Sequence, residues 1–168
     1  HATPPHQDFV HIQGTTEAYT CWMPLGQCPP EIGGLSILAG SHSRGVYDYH
    51  LSLGAGGMGV DPESLGGNWL TTDYNAGDAL IVHSLTVHKS MPNLTSDRMR
   101  MSVDYRYQGV SEPILDTFLA PHYVAPWEEI YPGWQSTDLQ YYWKKLDLTM
   151  GERDWSYNDK RDAEALVL

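Results

Sequence analysis

Basic residues are scarce in this chain. Ten Lys and Arg stand against 21 Asp and Glu, giving a formal charge of −11 at pH 7 and a pI near 4.9. Nucleic acid and anionic membrane are therefore excluded as main partners, because either would need a basic surface. Long apolar runs are missing too. None approaches the ~20 residues that a membrane-spanning helix requires, and the opening HATPPHQDFV lacks the apolar stretch of a secretion signal. Cysteine is limited to Cys21 and Cys28, which make neither a disulfide framework nor a zinc signature. They read as reduced thiols, and the chain as cytoplasmic. In that setting the Asn93-Leu94-Thr95 sequon reads as accidental. There is no initiator Met, no internal repeat and no low-complexity segment. The start of the chain reads as an entry into the C-terminal part of a longer protein. Nothing in the sequence bears on oligomeric state.

What is present is enough for one domain. The 168 residues are 41% hydrophobic and 11% aromatic, which supports a sizeable core. The first two-thirds read as strands and turns. Residues 16–25 (TEAYTCWMPL) are β-rich and end at Pro24-Leu25 before a Gly/Pro-punctuated stretch. Residues 35–39 form a short apolar strand, closed by Gly40-Ser41-His42. The Gly-rich stretch 51–67 shows no periodicity and reads either as a binding loop or as a loose surface insertion. Residues 69–72 and 79–83 read as strands, the second of them buried, with a tight turn at Asn75-Ala76-Gly77-Asp78 between them. Over residues 98–107 the chain alternates. Arg98, Arg100, Ser102, Asp104 and Arg106 share one face, and Met99, Met101, Val103, Tyr105 and Tyr107 the other. This pattern fits an edge strand, or a strand whose polar face lines a cavity.

From residue 109 onward the composition turns to Pro and aromatics. The spacing predicts a helix over 136–146, capped by Ser136 or Thr137, and a second short helix over 162–168. Residues 109–168 read as an aromatic and helical extension of the same domain. Short strands, Gly/Pro turns and few helices together indicate a mainly β protein of the jelly-roll kind.

His6-Gln7-Asp8 and the distant His88 supply two imidazoles and a carboxylate. That is the donor set of the facial triad that binds Fe(II) with open positions left over. In an extended segment His6 and Asp8 point the same way. The H-x-D string alone carries little, since eight histidines and 21 acidic residues make about one match expected by chance. Exposed terminal residues and a satisfied buried histidine would look the same. His83 reads as structural, and Ser41 and His42 as packing residues at a turn.

The order of motifs is more specific. HQDF (6–9), TCWMPLGQCPPEIGGLSILAGSHSRG (20–45), GDALIVHSLTVHKSMPN (77–93) and DRMRMSVDYRY (97–107) resemble the phytanoyl-CoA dioxygenase family of Fe(II)/2-oxoglutarate oxygenases. The resemblance covers residues 6–108. It implies a double-stranded β-helix, with His6, Asp8 and His88 as iron ligands. It makes Arg100 the partner of the distal carboxylate of 2-oxoglutarate, with the Ser90 hydroxyl beside it and Trp22 packed against the co-substrate. A guanidinium suits that task because it binds a carboxylate bidentately and stays charged. Two departures stand out. Ala39 replaces the family's usual Pro. The family's usual arginine spacing falls between Arg98 and Arg100, so Arg98 remains an alternative, although Leu94 reads as a one-residue insertion favouring Arg100.

The resemblance implies oxidation of a small organic molecule by O2, with succinate and CO2 as co-products. Two other readings stay open: a cupin-like metalloenzyme that does not use 2-oxoglutarate, and a non-catalytic jelly-roll binding module. The family's first strands precede the H-x-D segment. The chain as written is therefore expected to lack at least one strand and to expose an apolar sheet face.

Overall fold

A computed structural model of the protein describes residues 2–121 and 125–156. Eight short strands run in chain order: β1 (Ala18–Pro24), β2 (Leu35–Leu38), β3 (His50–Leu51), β4 (Met58–Gly59), β5 (Trp69–Leu70), β6 (Leu80–His83), β7 (His88–Ser90) and β8 (Ser102–Gln108). They form two three-stranded sheets, ordered β6-β1-β8 and β5-β2-β7, and a small β3-β4 hairpin, all antiparallel. Among the described residues the named helices are single turns, α1 (Phe9–Ile12), α2 (Pro62–Leu65) and α3 (Trp127–Ile130), with scattered 3-10 turns. This is the mainly β, jelly-roll architecture expected from the turn-rich sequence.

Strand β1 organises the first sheet. Its β-branched and aromatic residues suit a central strand, and its burial alternates strictly, with Ala18, Thr20, Trp22 and Pro24 inward. Thr20 pairs with Arg106 and Trp22 with Asp104, so the polar face of β8 turns inward beside them. The opposite face carries Tyr19, Ile81, Tyr105 and Tyr107, all exposed among the described residues, Ile81 at 65% and Tyr107 at 60%. The strand expected over 79–83 is thus buried only at Val82, because its other side belongs to this open face.

The second sheet and the segments around it enclose the core. Val10, Leu38, Tyr49, Met58, Val60, Leu65 and Val87 form one buried cluster, with Tyr47 and Trp69 against it. Met58, Val60 and Leu65 come from the Gly-rich stretch 51–67. That stretch is not a loose insertion: it folds as the β3-β4 hairpin and α2, and it packs into the core. Each of its three buried side chains contributes about 1.5–3 kcal/mol. Its backbone is tied to the start of the chain by the Val60 N–H, which donates to Pro5 O at 2.8 Å. A second cluster joins Trp22, Cys28, Leu35 and Tyr74.

The turn expected at 75–78 is present. The Asp78 N–H donates to Asn75 O at 3.0 Å, and the Asn75 N–H donates to the Asp78 carboxylate at 2.7 Å. The helix expected over 136–146 does not form. Only a 3-10 turn at Tyr142–Lys145 is found, preceded by Tyr141 at a left-handed φ of 50°. Aromatic packing overrides local propensity there. Tyr141 and Trp134 pack edge-on against Tyr131, Trp127 stacks on Tyr131, and Trp143 leans on Trp127. The strand expected from residue 98 starts at Ser102. The short helix expected over 162–168 lies outside the described residues.

Candidate metal centre

Asp8 occupies the position just before α1 and is buried. Its Oδ2 accepts a 2.5 Å hydrogen bond from Thr20 Oγ1 on β1. Its Oδ1 lies 3.8 Å from His6 Nε2 and 3.8 Å from His88 Nε2. The two imidazole rings are centred 4.4 Å apart. Their backbones form an antiparallel bridge, each N–H donating to the other's carbonyl at 2.9 Å. The bridge fixes how far apart the two rings can stand. The three donor atoms all lie within 4.8 Å of one another, the single such His/Cys/Asp/Glu group among the described residues.

The ring nitrogens are oriented by carbonyls. His6 Nδ1 lies 2.7 Å from Pro4 O, and His88 Nδ1 lies 3.0 Å from Thr86 O. A carbonyl only accepts, so each Nδ1 carries the proton and each Nε2 presents its lone pair toward Asp8. Cis ligands ~2.1 Å from a six-coordinate ion stand ~3 Å apart, so each imidazole needs to close on the Asp8 oxygen by less than about 1 Å.

Electrostatics favour the ligating forms. Burial and the neighbouring His88 push His6 down to about 4, against weaker upward pulls from Asp8 and Pro4 O. Burial opposes charge on Asp8, but His88, Arg106, the Thr20 hydroxyl and His6 outweigh it and hold the carboxyl below its ordinary range. Metal binding calls for neutral imidazole and ionised carboxylate, and at pH 7 His6 and Asp8 are in those forms.

Three contributors around the centre were not assigned a role from the sequence. Gln7 turns away from the ligands and is fully buried. Its amide donates to Gly45 O (2.9 Å) and Leu85 O (2.6 Å), and its carbonyl accepts from the Tyr47 N–H (3.0 Å) and the Tyr49 hydroxyl (2.9 Å). Thr20 holds Asp8. Arg106 stands 3.7 Å from Asp8 Oδ1 and 3.2 Å from Asp104 Oδ2. The alternation in β8 placed it on the polar face of the strand, but neither the direction of that face nor its partner was legible.

The remaining expected residues separate. Arg100 donates to Gly33 O at 2.7 Å and its guanidinium lies 5.6 Å from the Trp22 ring centre. Trp22 in turn packs with Leu35, which pairs with Ser90 across β2 and β7. Arg100, Trp22 and Ser90 therefore share one neighbourhood. Ser90 Oγ accepts from the Thr3 N–H (2.6 Å) and the Thr3 hydroxyl (3.1 Å), so its own O–H remains to donate. Arg98 points elsewhere, to exposed Glu31 at 3.3 Å. His83 is structural, as expected: its Nδ1 accepts from the Leu85 N–H and its ring packs edge-on against Tyr19. Ser41 likewise serves packing, donating to Leu38 O and accepting from the Val87 N–H.

The family model described as phytanoyl-CoA dioxygenase (PhyH) matches residues 1–102. The chain belongs to the phytanoyl-CoA dioxygenase family. Within the curated relatives, a 1-deoxypentalenic acid 11-beta-hydroxylase from Streptomyces arenae is 35% identical over 118 residues, 65% of this chain and 42% of that protein. The chain thus spans less than half the length of that relative. In solved structures, the epimerase SnoN from nogalamycin biosynthesis, in complex with Fe3+, α-ketoglutarate and nogalamycin RO, overlays 90% of this chain and 56% of its own, with a TM-score of 0.57 at 22% identity. The α-ketoglutarate-dependent carbocyclase SnoK overlays 67% of this chain and 45% of its own, with a TM-score of 0.54 at 24% identity. Those overlays establish the fold. No helix among the described residues is long and apolar enough to cross a membrane.

Proposed function

We propose that this chain carries the metal-binding core of an Fe(II)- and 2-oxoglutarate-dependent dioxygenase that oxidises a small organic molecule. His6, Asp8 and His88 are the iron ligands in this reading. The observation that carries it is the convergence of two carbonyl-oriented imidazoles on one buried, ionised carboxylate. Two nitrogens and one carboxylate oxygen suit iron and leave positions open, unlike a closed thiolate-rich zinc site. The family membership and the names of the relatives, a hydroxylase and two enzymes of small-molecule biosynthesis, point the same way. When bound, iron and 2-oxoglutarate supply activation of O2 and oxidation of a substrate C–H bond, with succinate and CO2 as co-products.

The chain's own residues would do the rest. Thr20 and Arg106 hold the Asp8 carboxylate in one rotamer, and Pro4 O and Thr86 O fix the imidazole tautomers. Arg100 would hold the distal carboxylate of 2-oxoglutarate by exchanging its Gly33 carbonyl for a charged partner. Ser90 would add its remaining proton, and Trp22 would flank the co-substrate. Anaerobic titration with Fe(II) tests the ligand set. The wild-type chain should take up one iron and His88→Ala none; equal uptake by the variant would remove the triad from the account.

A further inference from the structure

A cavity of about 230 Å³ is lined on one side by Arg106, whose guanidinium also faces the Asp8 carboxylate. Its floor is Arg106, with Ile12 from α1, the helical turn that begins directly after Asp8, and Ala18 from β1. Its walls are Leu115, Phe118, Leu119, Trp127, Tyr142 and Trp143. All of these wall residues lie beyond residue 102, where the match to the family ends. The walls are held in place. Trp127 Nε1 donates to Leu119 O at 2.7 Å, and its ring stacks on Tyr131 at 4.8 Å and leans on Trp143 at 5.3 Å. Gln13 and Gln108 line it as well, and preformed, mostly apolar concavities with a few convergent polar groups are what small-molecule sites look like. Among the described residues that line the cavity Arg106 alone is charged, and it stands 3.7 Å from the oxygen of Asp8 that faces both imidazoles.

We propose that this cavity holds the substrate, and that the substrate is an uncharged, ring-bearing molecule whose oxygen acceptor meets Arg106. This rests on the iron reading of the centre. The walls select flat apolar rings, because aromatic faces pack against them. The charge around Arg106 selects a neutral oxygen. Two carboxylates, Asp8 and Asp104, already face this guanidinium, so a third anion would be repelled, while an unused N–H can still donate to a ketone or hydroxyl. A segment outside the family-wide core is also where substrate preference can vary without disturbing the metal.

The test uses the full chain loaded anaerobically with Fe(II), and three probes: 2-acetylnaphthalene, 2-naphthoate and naphthalene. Quenching of tryptophan emission and calorimetry read the binding. The ketone should bind saturably, the carboxylate about tenfold more weakly, and naphthalene in between. Leu119→Trp, which fills the cavity, should abolish ketone binding while iron uptake stays at one per chain. Arg106→Leu should bring the ketone down to the affinity of naphthalene. Tighter binding of the carboxylate would overturn the neutral-oxygen assignment. Ketone binding unchanged by Leu119→Trp, or no saturable binding by any probe, would overturn the cavity. Failure of the iron reading is separate: it would show as iron uptake that survives His88→Ala, whatever the probes do.

Discussion

Arg98 and Arg100 stand two residues apart and meet different partners. Arg98 pairs with Glu31 where both side chains are about half exposed, an arrangement typically worth under ~1 kcal/mol. Arg100 reaches inward to Gly33 O and the Trp22 ring. Breaking a hydrogen-bonded charge pair to the co-substrate costs about 2–5 kcal/mol, roughly 30- to several-thousand-fold in affinity. Arg100→Ala should therefore raise the KM for 2-oxoglutarate steeply with iron uptake intact, and Arg98→Ala should change it little. Steady-state assays on the two variants decide the register; a steep effect from Arg98→Ala instead would reverse it. Gln7 belongs to the same scale. Gln7→Leu removes the amide that pairs the Gly45 and Leu85 carbonyls and the Tyr47 N–H in the interior. A loss of about 2–4 kcal/mol is expected, measured as a lower urea midpoint.

At the scale of elements, the 3-10 turn before β2 carries a position that only glycine fits. Gly33 has a φ of +89°, and a Cβ there would collide with the Met91 carbonyl oxygen. Its own carbonyl anchors Arg100. Gly33→Ala should cost more than the ~1 kcal/mol of an ordinary glycine replacement and should also weaken 2-oxoglutarate binding. Thermal melts with and without 2-oxoglutarate separate the two effects; a variant with wild-type melting would show that the turn relaxes. The Gly-rich stretch 51–67 and the segment 136–146 show the opposite problem for sequence reading. Met58, Val60 and Leu65 carry no helical or strand period, yet they fill the core because distant Val10, Leu38 and Val87 lie opposite them. Ser136 to Leu146 has cap and lysines in helical order, yet packing against Tyr131 and Trp127 bends it at Tyr141. Local pattern loses where long-range burial is larger.

For the whole molecule, protonation and the open sheet face set solution behaviour. His6 is about 4 when folded and near 6.5 in the unfolded chain. Between those values the unfolded state binds the extra proton. Stability of the metal-free fold is thus full above about pH 6.5 and falls as pH drops through 4, by about 3 kcal/mol. Urea unfolding at pH 7 and at pH 4.5 should show this, and His6→Gln should flatten the dependence. The face bearing Tyr19, Ile81, Tyr105 and Tyr107 is a contiguous apolar surface next to an edge strand. Such surfaces associate. Sedimentation of the purified chain should show concentration-dependent association, relieved by Ile81→Lys with Tyr107→Lys and with no change in iron uptake.

The sequence by itself determined the strand-and-turn character of the chain, the alternation of β8, and the candidate ligand set. Those features depend on period-two patterning, on turn chemistry, and on a spacing that places two donors near each other and a third far along the chain. The tertiary structure alone decided which partners meet. Nothing local pairs His6 with His88 across 82 positions, sets Thr20 and Arg106 on the two oxygens of Asp8, or turns Gln7 into a four-bond anchor for the ligand segment. These contacts arise from two sheets closing over a shared interior, where an unpaired polar group is costly and every donor has to find an acceptor.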